Sequence, residues 1–263
     1  MRIASRSEAV LQSLALLRRL KRTVVRGEAR LQFVLQHKKR SLPLSGEQVQ
    51  QYNRDGYLLV SGLIPKNIVS GAAAAIWLSV GADAQVRETW AILGPHPLVL
   101  RDKRLVATYT DSMVAAAAQL AGEHVASFRR PTRVFTVNNV PVSKDWQSHA
   151  PHLDGTRAEL RHETFLRPFR IGSMIYLTDV QHHGGGTIVW PGSHLKLEAL
   201  ARSEPRKYKY LAALNADLNQ VALSPPVELT PSLGDVLFQH YLCVHASSDN
   251  VSGAPRLALL HGW

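Results

Sequence analysis

The chain has 263 residues, of which 45% are hydrophobic and 19% charged, a balance typical of a folded globular protein and unlike a disordered one. A single cysteine, Cys243, excludes a disulfide framework and a zinc site built from several thiolates. The formal net charge is +11, and no apolar run reaches the roughly 20 residues that a helix needs to cross a bilayer, so no membrane span is predicted.

The charge is concentrated in the first 40 residues, which hold 11 of the 31 Lys and Arg but only 2 of the 20 acidic residues. Apolar residues recur there at helical spacing, which predicts a basic amphipathic helix. We therefore divide the chain into an extension, residues 1–44, and a domain, residues 45–263. Three roles for the extension stay open: a transit segment, a helix on a membrane surface, or a helix that packs on the body or on a partner subunit.

The rest of the chain is nearly neutral, with 20 basic and 18 acidic residues after position 40. Nucleic acid is therefore not an expected partner of the domain. The expected location is the cytoplasm, and an organelle reached through the basic segment is the alternative.

Helices dominate the first half of the domain. Ser45, followed three residues later by Gln48, predicts the capping box of a short helix that ends near Asp55-Gly56. The elements predicted after it are a strand over 57–60, a helix from 65 to about 80 and an alanine-rich helix over 113–120.

The pattern changes after residue 130, where short β-rich runs alternate with turn signals. Short strands with frequent turns favour a β-sandwich or barrel preceded by helices, so the predicted fold class is mainly β with flanking helices. The predicted strands cover 133–137, 171–177, 187–190, 235–244 and 256–261.

The first residues that suggest a metal site are His152 and Asp154. In a strand, residues i and i+2 face the same side, so His152 and Asp154 present an imidazole and a carboxylate to one point. His245, at the end of the predicted strand over 235–244, is the candidate third partner. Two histidines and one carboxylate on one face of a metal leave positions open for a cosubstrate and dioxygen, as in non-haem Fe(II) oxygenases.

Arg256 follows on the predicted last strand. An arginine that points into a barrel is costly unless it pairs with a carboxylate. A dicarboxylate cosubstrate, 2-oxoglutarate, supplies such a group, and a structural salt bridge is the alternative explanation.

An ordered set of motifs resembles the phytanoyl-CoA dioxygenase family of Fe(II)/2-oxoglutarate oxygenases. The resemblance covers roughly residues 47–261, and its strongest feature is Pro191-Gly192-Ser193-His194 between the two proposed metal motifs. The other parts are residues 52–58, 152–154, 174–179, 184–190, 234–238 and 245–247, Asn250 and Pro255-Arg256.

The resemblance implies a double-stranded β-helix (a jelly roll, cupin-like) with iron on His152, Asp154 and His245. It implies Arg256 on the distal carboxylate of 2-oxoglutarate, with Ser247 as a helper. The carboxylate of Asp154 favours oxygenation over halogenation, because halogenating relatives have a small residue there. His182-His183 departs from the acidic–Asn pair usual at that position.

Further residues are candidates for the pocket around the cofactors. Asn138 lies before the metal motif and is predicted to contact the cosubstrate, and Tyr176 on the central strand is predicted to line the pocket. His149 is a competing metal ligand by spacing alone. His182-His183 with three glycines also resembles the oxyanion loop of esterases, but no GxSxG nucleophile motif accompanies it.

The predicted activity is that of a dioxygenase that uses Fe(II), 2-oxoglutarate and O2 to hydroxylate a C–H bond of a small molecule, with succinate and CO2 as co-products. Desaturation, epimerisation and cyclisation use the same cofactors and stay open. So do an oxygenase directed at protein or nucleic acid and a binding protein that has lost catalysis.

Overall fold

A computed structural model describes residues 42–94 and 97–263. Residues 43–263 form one compact unit. The predicted helix of the basic extension and all but the last residues of the 1–44 segment lie outside the described residues, so those predictions stay untested. Within the described residues, no helix is both long and apolar enough to cross a membrane.

The helical first half of the unit forms as its local signals predict. Helix α1 (Gly46–Asp55) begins with a complete capping box between Ser45 and Gln48, and it ends at Gly56 in the left-handed conformation. Strand β1 (Tyr57–Val60) follows directly. The helices after it are α2 (Lys66–Val80), α3 (Lys103–Val106) and α4 (Asp111–Ala121), with a 3-10 segment at Arg87–Leu93.

The larger of two antiparallel sheets contains six strands in the order β1-β7-β4-β9-β3-β2. Strand β4 is its centre and pairs with β7 on one side and β9 on the other. The strands other than β1 are β2 (Val99–Leu100), β3 (Val134–Thr136), β4 (Gly172–Tyr176), β7 (Val236–Gln239) and β9 (Ala258–Gly262).

The smaller sheet has the order β6-β5-β8 and consists of two-residue strands. These are β5 (Ile188–Val189), β6 (Val227–Glu228) and β8 (His245–Ala246). Two isolated bridges, His152 with His245 and Ser148 with Ser248, continue this sheet beyond β8.

The two faces of the larger sheet are buried in different clusters. Leu58, Ile175 and Phe238 pack against helices α1, α2 and α4 on the outer face. Tyr176 and Leu237 face the opposite way and join residues of the small sheet, so this second cluster fills the space between the sheets. Helices α5 (Ser193–Ser203) and α6 (Leu211–Ala216) contribute to a third cluster on the far side of the small sheet.

One predicted strand is wrong as a single element. Only the first part of the run 235–244 forms a strand, β7 of the large sheet, and β8 of the small sheet begins just after the run. The chain turns between them, where the Cys243 N–H donates to the His240 carbonyl at 2.8 Å. His245 therefore begins a strand of the small sheet and does not end one of the large sheet.

The last predicted strand also begins later than expected. Strand β9 starts at Ala258, and Arg256 lies before it in an isolated bridge with Asn139. The chain between 196 and 230 contains most of α5 and all of α6. These helices cover the small sheet.

Candidate active site

His152 and His245 are brought together by the backbone. Each main-chain N–H donates to the carbonyl of the other, at 2.9 and 3.1 Å. In such a hydrogen-bonded antiparallel pair the two side chains leave the same face, and their ring centroids are 4.6 Å apart. Two residues that are 93 positions apart in sequence thereby share one point in the fold.

Asp154 completes the cluster from a turn, not from a strand as predicted. Only His152 of this segment is bridged, and the chain turns at Asp154-Gly155, where Gly155 has a φ of +72°. The turn places Asp154 Oδ2 3.6 Å from His245 Nε2. One ligand atom of each of the three residues lies within 4.8 Å of the others.

Hydrogen bonds fix the orientation of both rings. His152 Nδ1 donates to the Ala150 carbonyl at 3.1 Å, and His245 Nδ1 donates to the Cys243 carbonyl at 3.0 Å. With Nδ1 engaged, Nε2 of each neutral ring carries the free lone pair, which is the arrangement found for metal-binding histidines.

The pKa shifts of Asp154 and His152 favour the forms that bind a metal, a carboxylate and a neutral imidazole. Burial, followed by the proximity of His245, lowers the pKa of His152. Burial opposes ionisation of Asp154, but the hydrogen bond and charge of His245 outweigh it and lower the pKa of that carboxyl. Burial likewise opposes charging of His245, yet Asp154 raises its pKa, so a metal at this point must displace the proton that the ring shares with Asp154.

Arg256 is buried, with 4% of its surface exposed. Its Nη2 donates to the Val137 carbonyl at 3.2 Å, and its Nε has no partner. No carboxylate of the described residues lies within salt-bridge distance, so a salt bridge does not account for this side chain there. Burial lowers the pKa of Arg256, a measure of the cost of keeping the guanidinium in this place.

The other predicted pocket residues, Tyr176, Asn138 and Ser247, each make a side-chain hydrogen bond within the protein. Tyr176 is fully buried between the sheets and its hydroxyl bonds to that of Thr187 at 2.8 Å. Asn138 donates to Thr136 Oγ1 at 3.3 Å, while its own Oδ1 is buried without a partner. The Ser247 hydroxyl is engaged by His149.

His149 belongs to a separate network. Its Nδ1 accepts from the Ser247 hydroxyl at 2.7 Å, and its Nε2 donates to Asp249 Oδ1 at 3.1 Å. Lys144 Nζ also lies 2.9 Å from that carboxylate oxygen. Both ring nitrogens of His149 are occupied, which argues against it as a competing metal ligand.

His182 and His183 form a cluster with Glu228 away from Arg256 and the triad. His183 N–H donates to Glu228 Oε1 at 2.8 Å, and His182 Nε2 lies 3.4 Å from Oε2. The next glycines have a packing role, because a Cβ on Gly185 would lie 2.6 Å from Asn139 Nδ2. These contacts give the motif a structural role and do not support the esterase-type interpretation.

Two side chains that hold the metal-motif segment escaped the sequence analysis. Asn215 of helix α6 accepts the Leu153 N–H at 2.7 Å, and His162 Nδ1 donates to the Gly155 carbonyl at 2.9 Å. Asn215 lies 62 residues from its partner, and no local pattern marks such a contact.

A cavity of about 690 Å³ opens beside Asp154. It lies at the mouth of the space between the sheets and is called here the entrance cavity. Its lining includes Phe135 and Leu260 from the large sheet and Phe169 from the preceding loop. The size is that of an ordinary small-molecule site.

Several known proteins are similar to this chain in sequence. A sequence model of the family described as Phytanoyl-CoA dioxygenase (PhyH) matches residues 52–258. Ectoine dioxygenases from Bordetella bronchiseptica and Bordetella parapertussis are each 24% identical over 237 residues, which cover 81% of this chain and 73% of the relative.

Solved structures share the fold. EctD from S. alaskensis with bound Fe is 20% identical with a TM-score of 0.55, over 84% of this chain and 77% of that one. The α-ketoglutarate-dependent carbocyclase SnoK from nogalamycin biosynthesis is 20% identical with a TM-score of 0.52, over 82% and 83%. The epimerase SnoN of the same biosynthesis is 22% identical with a TM-score of 0.52, over 81% and 79%. These likenesses confirm the predicted jelly-roll fold class.

Proposed function

Because the chain belongs to the phytanoyl-CoA dioxygenase family and is an Fe(II)/2-oxoglutarate-dependent dioxygenase, we propose that it hydroxylates a C–H bond of a small-molecule substrate. When bound, iron, 2-oxoglutarate and O2 supply the oxidising chemistry, with succinate and CO2 as co-products. The convergence of two histidines and one carboxylate on one point carries the proposal.

The iron ligands in this proposal are His152, Asp154 and His245. The donor set suits the ion, since two imidazole nitrogens and one carboxylate on one face are typical of non-haem Fe(II) oxygenases. The two Nδ1 hydrogen bonds fix the rings so that each Nε2 is available. The turn at Asp154-Gly155 brings the carboxylate to the same place.

Arg256 is the proposed partner of the distal carboxylate of 2-oxoglutarate. Arg256 is a buried guanidinium with an unpartnered Nε, and no carboxylate of the described residues lies within salt-bridge distance of it, so we infer that it needs an anion from outside the chain. Asn138, whose Oδ1 is buried without a partner, and Tyr176 are proposed to line the same pocket. Ser247 stays a proposed helper, and it would have to exchange its bond to His149 for one to the cosubstrate.

The chain's own contribution is to position the groups and exclude water. The cluster between the sheets, which contains Tyr176 and Leu237, leaves Arg256 without solvent. In such a dry site a charge-assisted hydrogen bond to a cosubstrate carboxylate is stronger than in water. The substrate C–H bond is expected at the entrance cavity, beside Asp154.

Cyclisation or epimerisation with the same cofactors is the second candidate. The solved relatives include a carbocyclase and an epimerase, and the ligand set does not distinguish their outcomes from hydroxylation. The ectoine dioxygenases and the enzymes of nogalamycin biosynthesis support a small molecule as substrate.

The experiment uses the full chain with Fe(II), 2-oxoglutarate and O2. Succinate formation and O2 consumption report uncoupled turnover, and the iron retained after dialysis reports binding. Asp154→Ala is expected to lose iron and turnover, and Arg256→Gln to keep iron but require much more 2-oxoglutarate. His124→Ala is the matched control, because His124 is an exposed histidine outside the triad and outside the His182-His183-Glu228 cluster. Full iron retention and turnover in Asp154→Ala would refute the ligand assignment.

A further inference from the structure

The entrance cavity is mostly apolar where it meets Asp154. Phe135 and Leu260 are cross-strand partners on β3 and β9, and both line it. Phe169 lies against the two glycines of β4 and β9, where an added Cβ would come within 3.3 Å of its ring. This surface suits an apolar part of a substrate.

A second cavity, of about 700 Å³, continues the first. The two share Pro131, Thr132, Pro168, Phe169, His261 and Gly262, so they form one groove. Arg133 lines the first part. The arginines that line the second part are Arg129, Arg130, Arg167 and Arg170. We call these five residues the arginine rim.

The charge of the rim is only partly balanced by side chains. Asp154 is the only side-chain carboxylate that lines either cavity within the described part of the chain. Two rim arginines are paired from outside, Arg130 with Asp111 and Arg170 with Glu123. The other three have no carboxylate within salt-bridge distance in the described ranges; they are Arg129, Arg133 and Arg167.

The excess of positive charge at the groove does not follow from the composition of the domain. Outside the first 40 residues the chain carries 20 basic and 18 acidic groups, so the domain as a whole is close to neutral. By contrast, the basic residues of the 202–209 segment are largely paired, for instance Arg202 with Glu198 and Lys207 with Asp217. A cluster of unpaired arginines at the mouth of an apolar cavity raises the local concentration of anions.

We propose that the substrate is an apolar molecule with an oxyanion, a carboxylate or a phosphate, which the arginine rim binds while the apolar part lies in the entrance cavity. The guanidinium group suits this role because its fixed fork of donors matches both oxyanions in a bidentate manner. The inference rests on the proposed function, since it takes the end of the groove next to Asp154 as the place where the substrate reacts. Of the five rim residues, Arg133 lines the same cavity as Asp154, and the other four line the second cavity.

The test measures the binding of small probe molecules to the metal-free full chain. Saturating 2-oxoglutarate is present to occupy Arg256, so that an anionic probe does not bind there. The probes share one ten-carbon chain and differ in the head group: decanoate, decyl phosphate, decan-1-ol and decyltrimethylammonium, all below their critical micelle concentrations. Quenching of tryptophan fluorescence is a suitable signal because Trp263 lines the groove. Calorimetry gives the affinity independently.

Decanoate and decyl phosphate are expected to bind about tenfold or more tightly than decan-1-ol, and added salt is expected to weaken only the anions. Arg133→Gln/Arg167→Gln is expected to abolish this preference while the affinity for decan-1-ol stays unchanged. Arg206→Gln, an exposed arginine away from the groove, is the matched control. The ratio between the two anions identifies which oxyanion the rim favours.

Equal affinity for the anions and the alcohol, or an unchanged preference in the double variant, would overturn the proposal. A single-stranded oligonucleotide that displaces decanoate and depends on the same two arginines would overturn it as well, in favour of a nucleic-acid surface. Failure here is separable from failure of the proposed function. The double variant should keep iron and uncoupled O2 consumption, whereas Asp154→Ala should lose both and still bind decanoate.

Discussion

Replacing Arg256 by methionine tests the most unusual feature of the interior. The guanidinium is buried, makes one hydrogen bond to Val137 and leaves Nε without a partner. Methionine has a similar length and no charge to desolvate. If Arg256 serves to bind a cosubstrate carboxylate, the protein without the cosubstrate is less stable than it would be with an apolar side chain at this position.

The magnitude follows from two opposing contributions. Loss of the hydrogen bond from a charged donor costs about 1.5–3 kcal/mol. Removal of a buried charge without a counter-ion recovers several kcal/mol, and replacements of buried ionic groups by apolar side chains stabilise proteins by about 1–4 kcal/mol. We therefore expect Arg256→Met to leave the free energy of unfolding unchanged or to raise it by up to about 3 kcal/mol.

Urea denaturation of the metal-free chain, with and without 2-oxoglutarate, measures both effects. The wild-type midpoint should rise with 2-oxoglutarate, as for any ligand that binds the native state, and the midpoint of Arg256→Met should not. The exposed Arg206→Met serves as the control and should change stability by less than about 0.5 kcal/mol. A strongly destabilised Arg256→Met that still responds to 2-oxoglutarate would refute the reasoning.

Three further predictions concern stability. Burial lowers the pKa of His240 to about 3, and its Nδ1 accepts the Leu242 N–H, so the folded chain keeps this ring neutral while the unfolded chain protonates it below about pH 6.5. His240 should therefore make stability fall as the pH drops from 6.5 towards 3, by up to about 2 kcal/mol at pH 5. His240→Asn should reduce this slope in a pH series of denaturation curves, and the slope that remains comes in part from His261, whose pKa burial lowers to about 4. Gly185→Ala should lower the melting temperature and reduce the soluble yield, because φ is +77° and the new Cβ would meet Asn139 at 2.6 Å; Gly46→Ala, with nothing within 4 Å, should not. Ser45→Ala removes the cap of α1 and should cost about 1 kcal/mol in urea denaturation, an effect that Ser45→Asp should largely avoid.

Elements with a local cause could be predicted from the sequence. Helix α1 carries its start and stop in the capping box and Gly56, and the structure confirms both ends. The run 235–244 has no local mark of the point where the chain leaves one sheet for the other. An apolar run reads the same whether it stays in one sheet or turns through His240 into the next.

In the candidate site, too, some features could be predicted from the sequence and others could not. The residues of the triad were found because His152 and Asp154 are close in sequence and His245 follows in a recognisable motif. Their geometry could not be predicted, because it depends on a turn at Gly155 and on a bridge between two residues that are 93 positions apart. The arginine rim was missed for a related reason. Its members come from two segments, 129–133 and 167–170, which meet because the strands that follow them, β3 and β4, both pair with β9.

The bridge between His152 and His245 ties occupancy of the site to the opening of a sheet edge. Its two hydrogen bonds, of 2.9 and 3.1 Å, hold one end of the pairing, since the other bridge between these segments joins Ser148 to Ser248 and the chain turns away at Asp154. A cation held by both side chains would cross-link the strands at that pair and oppose fraying. Deuterium uptake at the amides of these two residues should therefore slow when the metal is added, which gives a reporter of loading that needs neither substrate nor turnover.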